Sequence, residues 1–323
     1  MFYIGNVCIK NRVCIAPMAG VTDLPYRMIL KEFGASLLCT ELVSAKAYCY
    51  ENKGTKELMM TDKSESPIAL QIFGNDPYYM SKVVESEIDN YDIIDINMGC
   101  PVPKVVRNGE GSALMKEPRL AYEIVKSLVK VSNNKLPITC KIRIGFDNNN
   151  INAVEFAKIL EDAGASCITV HGRTRTEMYK NVIHLDVIKK VKEAVSIPII
   201  ANGNIFSIYD AKSTLDITKA DGIALARGIK GNPWFVRQCI EYIENGKIIE
   251  KPTFGEIKNI MLKLIENEVS FRGEYRAINE LKSHLCSFLH GAQNSAKFRE
   301  NINKADSKSQ LISIIDDFFI DKI

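Results

Sequence analysis

The stretch from Cys167 to Gly228 decides how this chain folds. It opens on Cys167-Ile168-Thr169-Val170-His171, a short β-branched run, and passes through the amphipathic stretch Leu185–Val195 to a second such run, Ile197–Ala201. Another amphipathic stretch, Ile208–Leu215, leads to Gly222–Ala226 and then Arg227-Gly228. Strands that alternate with helices must be parallel, because each crossover returns the chain to the same edge. Toward the N-terminus the pattern repeats. Val13–Pro17, Ser36–Val43, Pro67–Phe73, Ile93–Asn97 and Pro137–Ile144 are strand candidates, and Asp23–Phe33, Asp76–Asn90, Arg119–Val131 and Asn152–Ala163 are helical. Eight such units over about 230 residues match the usual size of a (β/α)8 TIM barrel. A doubly wound open sheet would carry GxGxxG after its first strand, and none follows Val13–Pro17. Residues 2–12 are expected to form a short strand or hairpin over the barrel's N-terminal mouth.

Composition sets the outer limits. The chain has 323 residues, 46% apolar and 25% charged, which suits one large globular domain plus a small one and excludes a disordered or collagen-like chain. No apolar run approaches the ~20 residues needed to span a bilayer, and no secretory signal is visible in residues 1–20, so a cytosolic enzyme is expected. Lys and Arg number 42 against 39 Asp and Glu, a net charge of +3 that permits a nucleic-acid partner without demanding one. Nine cysteines contain no CxxC pair, so neither a metal site nor a disulfide framework is expected, and most should be small buried residues.

After residues 246–252 the strands stop. Ile257, Met261, Leu264 and Ile265 share one helical face, with Thr253 and Glu256 as a capping box. Ile278, Leu281, Leu285 and Phe288 mark a second helix, and 307–319 a last one. The expected division is therefore a barrel over 1–250 and a small all-α bundle with its own core over 251–323. Its 11 Lys and Arg against 10 Asp and Glu leave it about neutral.

Active sites of such barrels are built where strands end at the C-terminal side. The residues there are Pro17-Met18-Ala19, Glu41, Gln71, Asn97 with Cys100, Lys141 with Arg143, His171 with Arg173, Asn202-Gly203-Asn204, and Arg227-Gly228. Nearly every strand delivers a polar or special residue to one face, which argues for an enzyme. The last two groups bring glycines and an Arg to the place where such barrels commonly hold a phosphate, although two ordinary turns with a surface Arg would look the same. Lys141 and Arg143 are two apart, hence on one face of a covered strand, where charge is costly unless partnered. Cys100 follows a strand in a Gly/Pro turn and begins a segment reaching Ala113. With Gly109 and Gly111, that segment is expected to be a mobile lid. Lys104 and Arg107 on it suit either a polyanion or plain solvent.

At these residues the sequence resembles the tRNA-dihydrouridine synthases, most closely the bacterial B-type branch. The matching segments are 16–23, 71–74, 95–101, 141–143, 171–174, 201–203 and 231–234, in the family's order. The resemblance implies a flavin mononucleotide (FMN) cofactor re-reduced by NADPH or NADH, a tRNA substrate, and an RNA-binding role for the helical tail. Carried over by position, Pro17, Met18 and Ala19 lie along the flavin ring, and Gln71 and Lys141 bond its polar edge. Asn202, Gly203, Asn204, Ala226 and Arg227 hold the phosphate, and His171 also joins the cofactor-binding set. Cys100 matches the family's proton donor, while Asn97, Lys141 and His171 match residues lining the uracil pocket. Arg173 and Lys104 are the further substrate-side candidates. The family usually has Gly where Ala226 stands, and one extra methyl could crowd the phosphate loop.

The residue types suit that chemistry. Saturating the 5,6-double bond of uracil needs a hydride at C6 and a proton at C5. A cysteine, with a reference pKa of ~8.5, still carries its proton at neutral pH and can give it up. The substrate uridine must leave its stack to reach a barrel mouth. A monomer without membrane attachment is expected. The alternatives are a flavin-dependent barrel reductase of a small molecule, of the dihydroorotate-dehydrogenase kind, and a non-catalytic RNA-binding barrel.

Overall fold

The computed structural model describes residues 1–320 and 322. A two-stranded antiparallel hairpin, β1 (Phe2–Ile4) and β2 (Val7–Ile9), precedes a ring of parallel strands. These are β3 (Val13–Ile15), β4 (Leu38–Cys39), β5 (Val43–Ser44), β6 (Ile68–Phe73), β7 (Ile93–Met98), β8 (Ile138–Gly145), β9 (Cys167–Thr174), β10 (Ile199–Asn202) and β11 (Gly222–Leu225). Neighbours run β3-β11-β10-β9-β8-β7-β6-β4, with β5 also on β6. The ring closes between β3 and the start of β4: Ser36 N donates to Val13 O at 3.0 Å and Ile15 N to Leu37 O at 2.9 Å. The expected (β/α)8 barrel is therefore present.

Its second strand is broken where the sequence showed one run, Ser36–Val43. Thr40 N still pairs with Ala69 O, but the Thr40 hydroxyl, in place of a main-chain carbonyl, accepts from Gln71 N at 3.0 Å. A side chain that substitutes for backbone interrupts the ladder. Glu41, freed from the strand, turns to accept from Gly20 N at 2.6 Å.

The crossover helices are α1 (Leu24–Glu32), α2 (Ala45–Cys49), α3 (Lys53–Leu58), α4 (Pro77–Glu87), α5 (Pro103–Arg107), α6 (Pro118–Ser132), α7 (Ala153–Asp162), α8 (Leu185–Ala194), α9 (Ile208–Thr218) and α10 (Trp234–Asn245). Side chains alternate across each strand. One set meets the helices in the main core. The other faces the barrel axis, where Cys14, Ala16, Leu37, Cys39, Ala69, Ile93, Cys167, Ile200 and Ala224 pack against Ile4 and Ile9 of the hairpin. The hairpin thus plugs the N-terminal mouth. Three of the cysteines are spacers here, in keeping with their small apolar bulk.

Four helices follow: α11 (Phe254–Arg272), α12 (Glu274–Phe288), α13 (Ser295–Lys304) and α14 (Lys308–Phe319). The Thr253–Glu256 capping box opens α11 as the sequence indicates, while α13 falls in a stretch whose sequence suggested no helix. The tail does not keep its core to itself. Met261, Leu264, Leu281 and Leu285 belong to the same contiguous apolar cluster as the barrel helices. Trp234 stands edge-on between Phe33 and Phe288, with ring centroids 5.6 and 6.2 Å away, and His284 packs on Tyr26 at 4.2 Å. At Gly231, with φ +67°, an added Cβ would lie 2.5 Å from Phe288 N, so only glycine lets the end of α12 come this close. Among the described residues no helix is long and apolar enough to cross a membrane.

Candidate active site

The strand ends at the C-terminal mouth surround a cavity of about 440 Å³. Pro17, Met18, Ala19, Gln71, Asn97, Cys100, Lys141, Arg143, His171, Arg173, Asn202, Gly203, Asn204, Ala226 and Arg227 all line it. Of the site residues carried over from the resemblance, only Lys104 is outside, exposed on α5; of the other strand-end residues, Glu41 and Gly228 do not line the cavity. A larger surface groove beside α4 is lined by tyrosines, carboxylates and three lysines, and by none of the strand-end residues above.

The walls of the mouth cavity include five cations, Lys141, Arg143, Arg173, Arg227 and Lys230, and no carboxylate. A site so one-sided in charge selects an anion. No group of three or more His, Cys, Asp or Glu positioned to hold a metal occurs among the described residues.

On one side, Val21 N and Thr22 N donate to Met18 O, and the Thr22 hydroxyl accepts from Met18 N at 2.8 Å. These bonds close the turn that sets the apolar segment Pro17–Ala19 at the cavity wall. Opposite it, Asn97 on β7 accepts from Gly99 N at 3.1 Å and Cys100 N at 2.8 Å. This turn places the Cys100 thiol at the cavity wall, half-buried. Burial pushes the thiol up from its ordinary value, despite the nearby charges of Arg143 and Lys141. It therefore stays protonated at neutral pH.

The segment after Cys100 is not an open lid. It folds into α5 and a 3-10 helix, Gly111–Lys116, with Ser112, Ala113 and Leu114 buried. Ser112 N donates to Cys100 O, and a Cβ on Gly111 would lie 2.9 Å from Cys100 Cβ. Gly111 thus serves close packing against the cysteine, while Gly109 makes room beside Asn75.

Lys141 on β8 donates to Asn202 Oδ1 at 3.2 Å, and Asn202 Nδ2 donates to Ala224 O at 2.8 Å. Burial, and next the Arg143 charge, lower the lysine to about 8. Arg143, at the cavity wall, spends its donors on main chain: its guanidinium donates to Gly99 O at 2.8 Å and Thr174 O at 2.9 Å, so it braces the cysteine turn. The same desolvation lowers it to about 10, still charged near neutrality.

His171 on β9 faces Arg173, whose Nη1 lies 3.0 Å from His171 Nε2. A guanidinium can only donate, so Nε2 accepts and the proton sits on Nδ1. Burial first, then the surrounding Lys and Arg charges, hold His171 well below its ordinary value and hence neutral. Arg173 is fully buried and also donates to Lys180 O and to Asn204 Oδ1. Its donors are thus directed to groups within the protein, and they position His171 and Asn204.

The loops after β10 and β11 make the remaining wall. Gly203 has φ +127°, and a Cβ there would lie 2.5 Å from Ile183 and 3.2 Å from the His171 ring, so the turn approaches the cavity as bare backbone. The Arg227 guanidinium lies between the rings of Tyr179 and Phe206, 5.2 and 5.1 Å from their centroids, and donates to Asn204 Oδ1 at 3.4 Å. Tyr179, Phe206 and Lys230 had no distinguishing signal in sequence: they sit on connections whose course the strand pattern does not set.

Apolar bed, polar opposite edge, clustered cations and a protonated thiol at the wall make this a (β/α)8-barrel enzyme site suited to an anionic ligand. The family model described as "Dihydrouridine synthase (Dus)" matches residues 14–321. The chain is 41% identical to a tRNA-dihydrouridine synthase B of Pasteurella multocida, across 96% of this chain and 94% of the relative. It is 37% identical to a tRNA-dihydrouridine synthase B of Vibrio parahaemolyticus across 98% of both, and 38% identical to a probable tRNA-dihydrouridine synthase of Rickettsia conorii across 94% and 92%. This chain belongs to the dihydrouridine synthase family. Among solved structures, an old yellow enzyme homologue from Zymomonas mobilis has the same barrel, with a TM-score of 0.51 and 12% identity over 78% of this chain and 93% of that one.

Proposed function

We propose that this enzyme reduces the C5=C6 bond of specific uridines in tRNA to 5,6-dihydrouridine, with FMN as cofactor and NADPH or NADH as electron source. The observation that carries the cofactor assignment is the cavity wall itself: five cations, no carboxylate, and the apolar segment Pro17–Ala19. These residues fit a phosphate-bearing tricyclic ring. Pro17, Met18 and Ala19 would hold its face, and Gln71 and Lys141 its polar edge. Asn202, Gly203, Asn204, Ala226 and Arg227 would hold the phosphate, with Arg227 held between two aromatic rings for that purpose. Bound FMN, when reduced, supplies the hydride for uracil C6.

The protein's part is to hold uracil and deliver the proton. Cys100, protonated at neutral pH, gives its proton to C5. Neutral His171 and Asn97 face the base's carbonyls, and the charge of Lys141 favours electron density at the ring edge beside it. The flipped-out uridine enters at the mouth. The tRNA phosphates would be gripped by exposed cations, among them Lys104 and Arg107 on α5, and by the helical tail 251–323, which we assign to RNA binding. The test is to purify the protein, read its flavin absorbance, and incubate it with NADPH and unmodified tRNA. Flavin in the protein and dihydrouridine in the RNA by mass spectrometry are expected. Protein that neither holds flavin nor forms dihydrouridine would overturn the assignment.

A further inference from the structure

Beneath the mouth cavity the barrel axis holds one carboxylate that the reaction above does not use. Asp95 is 6% exposed on β7, two residues before Asn97 and hence on the same inward face. It is the only acid along a small cavity of about 30 Å³ below the active site, where Thr139, Lys141 and Thr169 are its polar neighbours. Its Oδ2 accepts from Gln71 Nε2 and its Oδ1 from the Thr139 hydroxyl, both at 2.6 Å.

These bonds extend into a directional chain. Gln71 gives its amide N–H to Asp95, which leaves Gln71 Oε1 to accept from Asn97 Nδ2 at 2.8 Å. Asn97 Oδ1 is then the atom that accepts from Gly99 N and Cys100 N. An amide can be turned end for end at almost no steric cost, so Gln71 and Asn97 do not choose their own direction. The two ends choose it. A carboxylate at one end requires donors, and two main-chain N–H groups at the other require an acceptor. Reversing either amide would set oxygen against oxygen or N–H against N–H inside a desolvated barrel, where an unmatched polar group is costly.

We propose that Asp95 is a positioning residue of this active site: through Gln71 and Asn97 it sets the direction of the amide chain that holds the Cys100 turn and presents Gln71 to the cofactor. The proposal rests on Cys100 and Gln71 being the working groups assigned above. What it adds is that their placement depends on an acceptor level with Gln71 on the neighbouring strand and two positions before Asn97. The requirement is for an acceptor, not for a charge. In Asp95→Asn, the amide oxygen can take the bond from Gln71 while its N–H₂ faces Thr139 Oγ1, and the chain keeps its direction. Asp95→Leu removes the acceptor.

The experiment compares wild type, D95N, D95L, Q71L and the double variant D95L/Q71L as flavin-loaded full chains. It has two readouts: single-turnover dihydrouridine formation on tRNA, and alkylation of Cys100 by iodoacetamide without RNA, followed by peptide mass spectrometry. The expected result for D95L is a loss of about 10- to 100-fold in the single-turnover rate, the range for removing the group that orients a working residue. Cys100 alkylation in D95L should quicken as the turn loosens. D95N should stay within about threefold of wild type in both readouts, and D95L should cost little more once Q71L is present, because groups in one chain do not act additively. Full additivity of D95L and Q71L, or a D95N loss as large as that of D95L, would overturn the proposal. D95N is nearly isosteric, so its result decides the matter even if D95L fails to fold. The alkylation readout needs no tRNA activity, so its outcome is separable from failure of the proposed reaction.

Discussion

Cys100 keeps its proton because its surroundings give the thiolate little: it is half-buried, and desolvation outweighs the pull of Arg143 and Lys141. A group that must donate a proton at neutral pH is suited by that balance. Cys100→Ala should therefore leave flavin binding and its reduction by NADPH intact while dihydrouridine formation falls by about 100-fold or more, in line with the loss of a positioned acid. Assaying flavin bleaching and product in the same preparation checks it. Lys141 has the opposite sensitivity. Its ammonium is lowered to about 8, so it is charged below that pH and neutral above it. FMN affinity of the apoprotein should be highest below pH 8 and weaken as pH rises through it, by at most about tenfold per unit because one proton is involved. A fluorescence titration at several pH values measures this, and Lys141→Met should flatten the profile. Arg227→Ala should release flavin, because the variant loses both the charge and the fork that Tyr179 and Phe206 hold in place. Cofactor occupancy of the purified variant is the readout.

At the scale of elements, most strands and helices were legible because their signals are local. The β-branched run 93–97 and the helical periodicity of 119–131 match β7 and α6 to within a residue or two. The break between β4 and β5 was not legible, since it arises when Thr40 reaches a backbone amide on another strand. Nor was the folding of the Cys100–Ala113 segment. Glycines at 109 and 111 suit a hinge or a tight turn equally, and the contacts of Gly111 with Cys100 and of Gly109 with Asn75 select the turn. Asp95 lies in the motif that pointed to Cys100, and the alternation of β7 places it inward. What it bonds is set by β6 and β8, its neighbours across the sheet.

Across the whole molecule the decisive feature is that barrel and tail share one apolar cluster. Phe33 and Trp234 on the barrel side, and Phe288 on the tail side, bury one another, and each large apolar side chain so buried is worth about 1.5–3 kcal/mol. A chain ended after residue 250 should consequently aggregate or melt at markedly lower temperature, and should not survive as a competent barrel lacking only RNA affinity. Soluble yield and thermal unfolding of that truncation, beside the full chain, check it. Gly231→Ala attacks the same seam at one atom. With φ +67° and Phe288 N 2.5 Å from the new methyl, it should lower stability by about 1–3 kcal/mol, read as a drop in Tm.

By itself the sequence determined the parallel barrel, the C-terminal helices and the side chains that reach the mouth, because alternation along a strand and the order of strand and helix are properties of neighbours in the chain. Tertiary structure alone decided which of those side chains work and which brace. Arg173 and Arg143 are both charged residues at strand ends, and the two are spent on holding His171, Asn204 and the cysteine turn. It also decided that the tail is part of the barrel's core. The reason is the same in each case: burial and hydrogen-bond direction depend on atoms brought together from strands and helices far apart in the chain, and no local pattern records that meeting.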